Sequence, residues 1–185
     1  MKTKARLVAQ GFMQREGVDF FETASPTPGA ASVRIVLAVA NEYGIPVYHM
    51  NTAQAFTQAN LDGTVYMKLP QGCGSLSGKT VRLEKALYGL RQSGLLWNEL
   101  LVDKLVTRHG MEQCKTDPCV FRKFRDGRLV MIMVVHVDDM AVAGEDDDLA
   151  ELHHQQPRIA YVVHRLRSES RCRERLSNDL ANVVH

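Results

Sequence analysis

The chain has 185 residues, of which 45% are hydrophobic and 24% charged, and its formal net charge is +2. The length suffices for one domain with a real core, and the composition is ordinary for a soluble globular protein. So small a net charge excludes a molecule-wide field that would gather a polyanion, so any nucleic-acid binding must come from local patches.

The four cysteines, Cys73, Cys114, Cys119 and Cys172, form no Cys-x-x-Cys pair, and no histidine pair completes zinc spacing. This argues against a zinc site. No signal peptide and no long apolar span is present, so the expectation is an intracellular, cytoplasmic chain with reduced thiols and no membrane partner.

Lys2 to Phe12 (KTKARLVAQGF) alternates basic and apolar residues up to Gly11 and predicts an edge strand and turn carrying Lys2, Lys4 and Arg6. Such a strand can hold phosphates, although a solvated basic face is the more frequent role of the pattern. Arg15 to Pro28 has turn residues and little periodicity and reads as a loop. Ser32 to Tyr43 predicts a helix, with Ser32 as N-cap, Val33, Val36, Leu37 and Ala40 on one face, and Gly44 and Pro46 as terminators. Pro46 to Asn51 is a short strand, Thr52 to Ala59 a helical turn, and Leu61-Asp62-Gly63 a turn. Thr64 to Leu69 alternates as a half-buried strand should.

Gln71 to Thr80 ends Gly78-Lys79-Thr80, but a phosphate-binding loop needs glycine where Cys73 stands, so the segment reads as a surface loop. Thr80 to Leu87 is a further strand. Gln92 to His109 predicts the longest helix, with Leu96, Leu100, Leu101, Lys104 and Leu105 at helical spacing, Trp97 and Leu101 extending the apolar stripe, and Gly110 as its end. Cys119 to Arg125 and Arg128 to Val137 form a hairpin around Asp126-Gly127, a strong two-residue turn signal.

The second arm of that hairpin enters VMIMVVHVDDMAVAG at Val130 to Gly144. An apolar run, two adjacent aspartates and a second apolar run predict a buried hairpin with Asp138 and Asp139 at its turn. Neighbouring carboxylates repel each other at the end of an apolar strand. A hard divalent cation such as Mg²⁺ would offset that repulsion. A plain solvated turn is the alternative, because Asp is a normal turn residue. After Glu151 the chain changes character, with six arginines and no lysine, glycine, phenylalanine or methionine. His153 and His154 lie here, and Leu166, Leu176, Leu180 and Val183 have the spacing of a weak helix.

Four motifs together resemble the reverse transcriptase of Ty1/copia-type retrotransposons over about Lys4 to Asp147. They are KARLVAQGF at Lys4 to Phe12 with its following Gln14, Gly17, Asp19, Glu22, Thr23, Ser25 and Pro26, MNTAQAF at Met50 to Phe56, ALYGLRQSGLLW at Ala86 to Trp97, and HVDD at His136 to Asp139. Their shared order and spacing carry the resemblance. It implies an α+β fold, a polymerase palm-like antiparallel sheet backed by helices with part of the fingers and the thumb missing. It implies RNA-directed DNA polymerase activity on an RNA or DNA template, a primer and deoxynucleoside triphosphates, with two Mg²⁺ ions, or Mn²⁺, held by three carboxylates. Asp138 and Asp139 match two of these, and Asn51 stands where the third belongs. Lys4 and Arg6 match basic residues near the incoming triphosphate, Phe56 matches the aromatic that excludes a ribose 2′-hydroxyl, and Tyr88 and Gln92 lie on the template-and-nucleotide side. Phe56 as core packing and Lys4 as a solvated edge are the competing readings.

The sequence also departs from the family pattern. An amide at Asn51 can ligate Mg²⁺ but brings no charge and cannot bridge two ions as a carboxylate does. The expected cost is several kcal/mol of metal and transition-state stabilisation, about a hundredfold or more in rate at about 1.4 kcal/mol per tenfold. His136 replaces the tyrosine before the paired aspartates, and Gly94 and Leu95 replace Pro and Arg. The expected division is a partial reverse transcriptase unit at 1–147 and a divergent, weakly ordered Arg-rich tail at 148–185 of frameshifted or foreign origin. A non-catalytic remnant with weak nucleic-acid binding is the second functional reading.

Overall fold

The computed structural model describes residues 6–154 and 164–166. In chain order its regular elements are α1 (Ala30–Glu42), β1 (Val47–Asn51), β2 (Asn60–Lys68), β3 (Thr80–Lys85), α2 (Ser93–Asp103), β4 (Glu112–Gln113), β5 (Val120–Arg125), β6 (Arg128–His136), β7 (Asp139–Gly144), α3 (Asp146–His154) and β8 (His164–Leu166). The α+β class and antiparallel sheet agree with the expectation. The chain forms two compact units, Met1–Ser25 with Gln54–Asp103, and Pro26–Ala53 with Lys104–His185.

The second of these units holds a six-stranded antiparallel sheet in the order β4-β5-β6-β7-β1-β8. Alternation along the strands sorts the side chains. Val120, Ile132, Val134, Ala141 and Ala143 lie on one face and pack against Val33, Val36 and Ala40 of α1. Met131, Met133, Met140 and Val142 fill the opposite face and are buried. Small residues on β7 let its neighbours close in, and a Cβ at Gly144 would lie 3.4 Å from Met131 Cγ and 3.7 Å from Leu149 Cγ of α3. The β5–β6 turn is Asp126-Gly127, both at positive φ (52° and 76°), as a mirror-image hairpin turn requires.

Helix α1 starts at Ala30 with Gly29 as N-cap, two residues before the predicted start at Ser32. The reason is Asp117, which precedes β5. Its carboxylate accepts the Gly29 N–H at 3.2 Å and the Cys119 N–H at 2.9 Å, and it also bonds the Ser32 hydroxyl, so Ser32 is not free to cap. Burial works against that charge, but the bonds from Ser32, Cys119 and Gly29 outweigh it and hold the carboxyl below its ordinary range. The charge also suits a helix N-terminus.

The first unit is built on the β2–β3 ribbon, α2 and the N-terminal segment. Ala9, Val65 and Leu90 form its small core, with Leu61, Met67, Leu83 and Leu87 against them. The predicted N-terminal edge strand is not formed over residues 6–10, and residues 1–5 lie outside the described residues. In its place Ala9 N–H donates to the Tyr88 carbonyl at 2.7 Å, and Gly11–Met13 makes a single tight turn. Two glycines impose this arrangement. A Cβ at Gly11 would meet the Gly89 oxygen at 1.9 Å, and a Cβ at Gly89, where φ is +92°, would meet the Ala9 oxygen at 2.2 Å. Backbone therefore lies directly on backbone, where only glycine fits.

Three further expectations are corrected. Leu61-Asp62-Gly63 is not a turn but part of β2, at a register irregularity between Asn60 and Val65. Helix α2 ends at Asp103 and continues as a wider π-helical turn, Lys104–Arg108, before Gly110 at φ +62°. After Asp147, α3 runs on to His154, and His153 and His154 close that helix. Asp148 within it is buried and paired with Arg125. Leu166 ends β8 and does not begin a helix, while Leu176, Leu180 and Val183 lie outside the described residues. No helix among the described residues is long and apolar enough to cross a membrane.

Candidate metal and nucleotide sites

The β6–β7 turn differs by one residue from expectation. Its two central residues are Val137 and Asp138, and Asp139 is the first residue of β7. Val137 has φ +57°, in a region that β-branched side chains rarely occupy. Such a position carries about 1–3 kcal/mol of strain. The turn is held from the side, because Thr52 N–H donates to the Asp138 carbonyl at 2.7 Å. Thr52 is itself 1% exposed, and its Oγ1 is a buried oxygen with no hydrogen-bond partner among the described residues.

Register then brings the candidate ligands together. Asp139 lies opposite His136 on one side and opposite Asn51 on the other, while His49 pairs with Ala141. Two-residue alternation puts His49 and Asn51 on one face of β1. The Asn51 Nδ2 donates to Asp139 Oδ1 at 2.7 Å, and the His49 Nε2 lies 3.0 Å from the same oxygen. All of these side chains are half-buried. His49 was not among the expected site residues. The available signal was its position two residues before Asn51 on a short strand.

Asn51, Asp138 and Asp139 therefore lie in one neighbourhood, but the donor set does not fit a pair of Mg²⁺ ions. A hard cation needs oxygen lone pairs. Here one Asp139 oxygen faces an amide N–H and an imidazole nitrogen. Among the described residues no group of three or more His, Cys, Asp or Glu is arranged to hold a metal ion.

The first unit gathers three of the residues expected on the nucleotide side. The Arg6 guanidinium lies 5.1 Å from the Tyr88 ring centroid, and the Tyr88 and Phe56 rings meet edge to face at 4.7 Å. Arg6 is exposed, and both rings are partly so. This is a cation held on an aromatic platform, a combination able to meet a phosphate and a base or sugar face. Gln92 does not join them. It is 0% exposed, its Nε2 donates to the Asp19 carbonyl at 3.1 Å, and its Oε1 accepts from Gln14 Nε2 at 3.0 Å. In this structure its amide ties the N-terminal segment down and is not open to a nucleotide. Arg91 acts alongside it, donating from Nε to the Gly11 carbonyl at 3.1 Å with its guanidinium 5.6 Å from the Phe20 centroid. Lys4 lies outside the described residues.

Comparison with known proteins agrees with the four motifs. A family model described as "Reverse transcriptase (RNA-dependent DNA polymerase)" matches residues 1–164. The chain is 33% identical over 153 residues to the retrovirus-related Pol polyprotein from transposon TNT 1-94 of Nicotiana tabacum, covering 80% of this chain and 11% of that protein. It is 38% identical over 148 residues to the retrovirus-related Pol polyprotein from transposon RE1 of Arabidopsis thaliana, covering 79% of this chain and 10% of that protein. With the truncated transposon Ty1-A Gag-Pol polyprotein of Saccharomyces cerevisiae it shares 31% identity over 147 residues, 77% of this chain and 12% of that protein. The chain thus spans about a tenth of the length of the curated relatives it matches. No solved structure matches.

Proposed function

The chain belongs to the reverse transcriptase (RNA-dependent DNA polymerase) family of Ty1/copia-type retrotransposons, and from that premise we propose that it is a palm and partial-fingers piece of such a polymerase whose metal centre is impaired. Its ancestral reaction is template-directed addition of deoxynucleotides to a primer on an RNA or DNA template. Asp138 and Asp139 are the metal-binding carboxylates of that reading, and Asn51 occupies the third position. Lys4, Arg6, Phe56 and Tyr88 are the nucleotide-side residues, with Gln92 supporting them from the interior. Two Mg²⁺ ions, or Mn²⁺, supply the charge stabilisation in this chemistry. The observation that carries the impairment is the uncharged Asn51 amide, hydrogen-bonded to Asp139 at 2.7 Å, at the position of a third carboxylate in this reading.

Primer extension on poly(rA)–oligo(dT) tests this reading, with Mg²⁺ and with Mn²⁺, for wild type, Asn51→Asp and Asp138→Ala. No extension by wild type is expected. Robust Mg²⁺-dependent synthesis by wild type that Asp138→Ala abolishes would refute the impairment. A second reading, a remnant that binds nucleic acid without synthesis, is favoured by the exposed Arg6 on Tyr88. It predicts binding that weakens steeply with salt and needs no divalent ion.

A further inference from the structure

We infer that His49 and Asn51 act together as a hydrogen-bonded lock that occupies Asp139 in place of a cation, so that His49 is a second barrier to metal binding, separate from the missing charge at position 51. The inference rests on reading Asp139 as part of a polymerase metal centre. Its ground is geometric, since two nitrogens converge on one oxygen, the Asn51 Nδ2 donor at 2.7 Å and His49 Nε2 at 3.0 Å.

An imidazole donates from Nε2 in one neutral tautomer and also when protonated, so the bond does not depend on a single charge state. The strand fixes its direction. His49 is held in register by Ala141 on β7 and by His164 on β8, and it cannot leave the face it shares with Asn51 without a slip of β1. Replacing Asn51 by aspartate would remove one donor and restore one charge. His49 would still donate into Asp139 Oδ1. The lone Asn51→Asp variant is therefore a partial repair, and His49 positions Asp139 away from metal.

The experiment is Mn²⁺ binding to the full chain, by calorimetry and by the loss of the free-ion electron paramagnetic resonance signal. The proteins are wild type, His49→Ala, Asn51→Asp and the double variant. His49 has 38% of its side chain exposed, so its removal leaves the core intact. Expected are no resolved binding by wild type, weak binding by Asn51→Asp, and binding about tenfold tighter in the double variant, the size of effect that outer-shell partners exert on metal affinity. A metal-free readout accompanies it, because the ¹⁵N shifts of the His49 ring should show a protonated Nε2.

Equal Mn²⁺ affinity in Asn51→Asp and the double variant overturns the lock and leaves the polymerase reading standing. Weaker binding by the double variant makes His49 a ligand and also overturns the lock. Failure of all four folded proteins to bind overturns the metal-centre reading and the lock together. A bare Nε2 facing Asp139 overturns the lock whatever the metal does.

Discussion

Gly11→Ala tests the backbone joint between the first and third motifs. The added methyl would sit 1.9 Å from the Gly89 oxygen, 3.0 Å from the Gly89 carbonyl carbon and 3.2 Å from the Leu90 Cα. None of these is a side-chain atom that can rotate away. Overpacking against mobile side chains costs about 1–3 kcal/mol, and against fixed backbone the upper end applies. If the joint opens to relieve the contact, the Arg91 bond to the Gly11 carbonyl and the Ala9 bond to the Tyr88 carbonyl go with it. The neutral Ala9 bond is worth about 1 kcal/mol and the bond from the charged Arg91 guanidinium about 2 kcal/mol. Either route predicts a loss of about 3 kcal/mol. Urea unfolding followed by Trp97 fluorescence is the assay, because Trp97 is the only tryptophan, is 1% exposed and lies in the same unit. At a slope of about 2 kcal/mol per molar, the midpoint should fall by about 1.5 M urea. Gly17→Ala is the control. Gly17 has φ +78° but nothing within 4 Å of its added Cβ, so only backbone strain of about 1–2 kcal/mol applies. A Gly11→Ala loss no larger than that of Gly17→Ala would refute the backbone clash.

Other outcomes follow from the second unit. Val137→Gly should stabilise the hairpin by about 1 kcal/mol in urea unfolding, because it relieves a β-branched residue at φ +57° at the cost of some backbone entropy. Thr52→Val should be neutral or stabilising by about 1 kcal/mol, since it removes a buried hydroxyl with no partner among the described residues. Asp117→Asn should cost about 1.5 kcal/mol at neutral pH by weakening charge-assisted bonds to Gly29, Cys119 and Ser32. Because the folded carboxyl is held below its ordinary range, the wild-type advantage is complete above the unfolded pKa of about 3.9 and fades as pH falls through the folded value, which unfolding at several pH values will show. Alkylation at pH 8 followed by peptide mass spectrometry should modify Cys114 well before Cys119. Backbone hydrogen bonding at Thr116 is the chief cause holding the Cys114 thiol below its usual value, whereas burial, reinforced by Asp117, pushes Cys119 up to about 12.

The sheet was the most legible part of the fold. Strands β1, β5, β6 and β7 alternate or run apolar, and Asp126-Gly127 marks their first turn by local chemistry alone. Helix α1 was legible as an apolar stripe. Its start was not, because the group at its N-terminus comes from Asp117, 88 residues away in sequence. The N-terminal segment misled for a related reason. Its alternation mimics a strand, but the position of Gly11 is set by Gly89, and no local pattern records that pairing. Asn51, Asp138 and Asp139 were legible as a neighbourhood through motif spacing. Gln92 was assigned to the nucleotide side by resemblance, yet its amide bonds within the interior. His49 was missed because an imidazole beside a carboxylate becomes visible only once β1 is in register with β7.

Among the described residues the outer strands of the sheet are β4, with two residues, and β8, with three. On β4, Glu112 is directly opposite Arg122 and paired with it at 3.3 Å, so that margin carries charge as well as being short. A long bare margin would offer a row of unpaired N–H and C=O groups on which another copy could add a strand. A two-residue margin offers almost none. This safeguard against strand-by-strand association is set by chain length and charge placement, and it owes nothing to Asp139 or its neighbours. Asn51 and Asp139 lie on β1 and β7, inside the sheet, so a substitution at either leaves both described margins as they are.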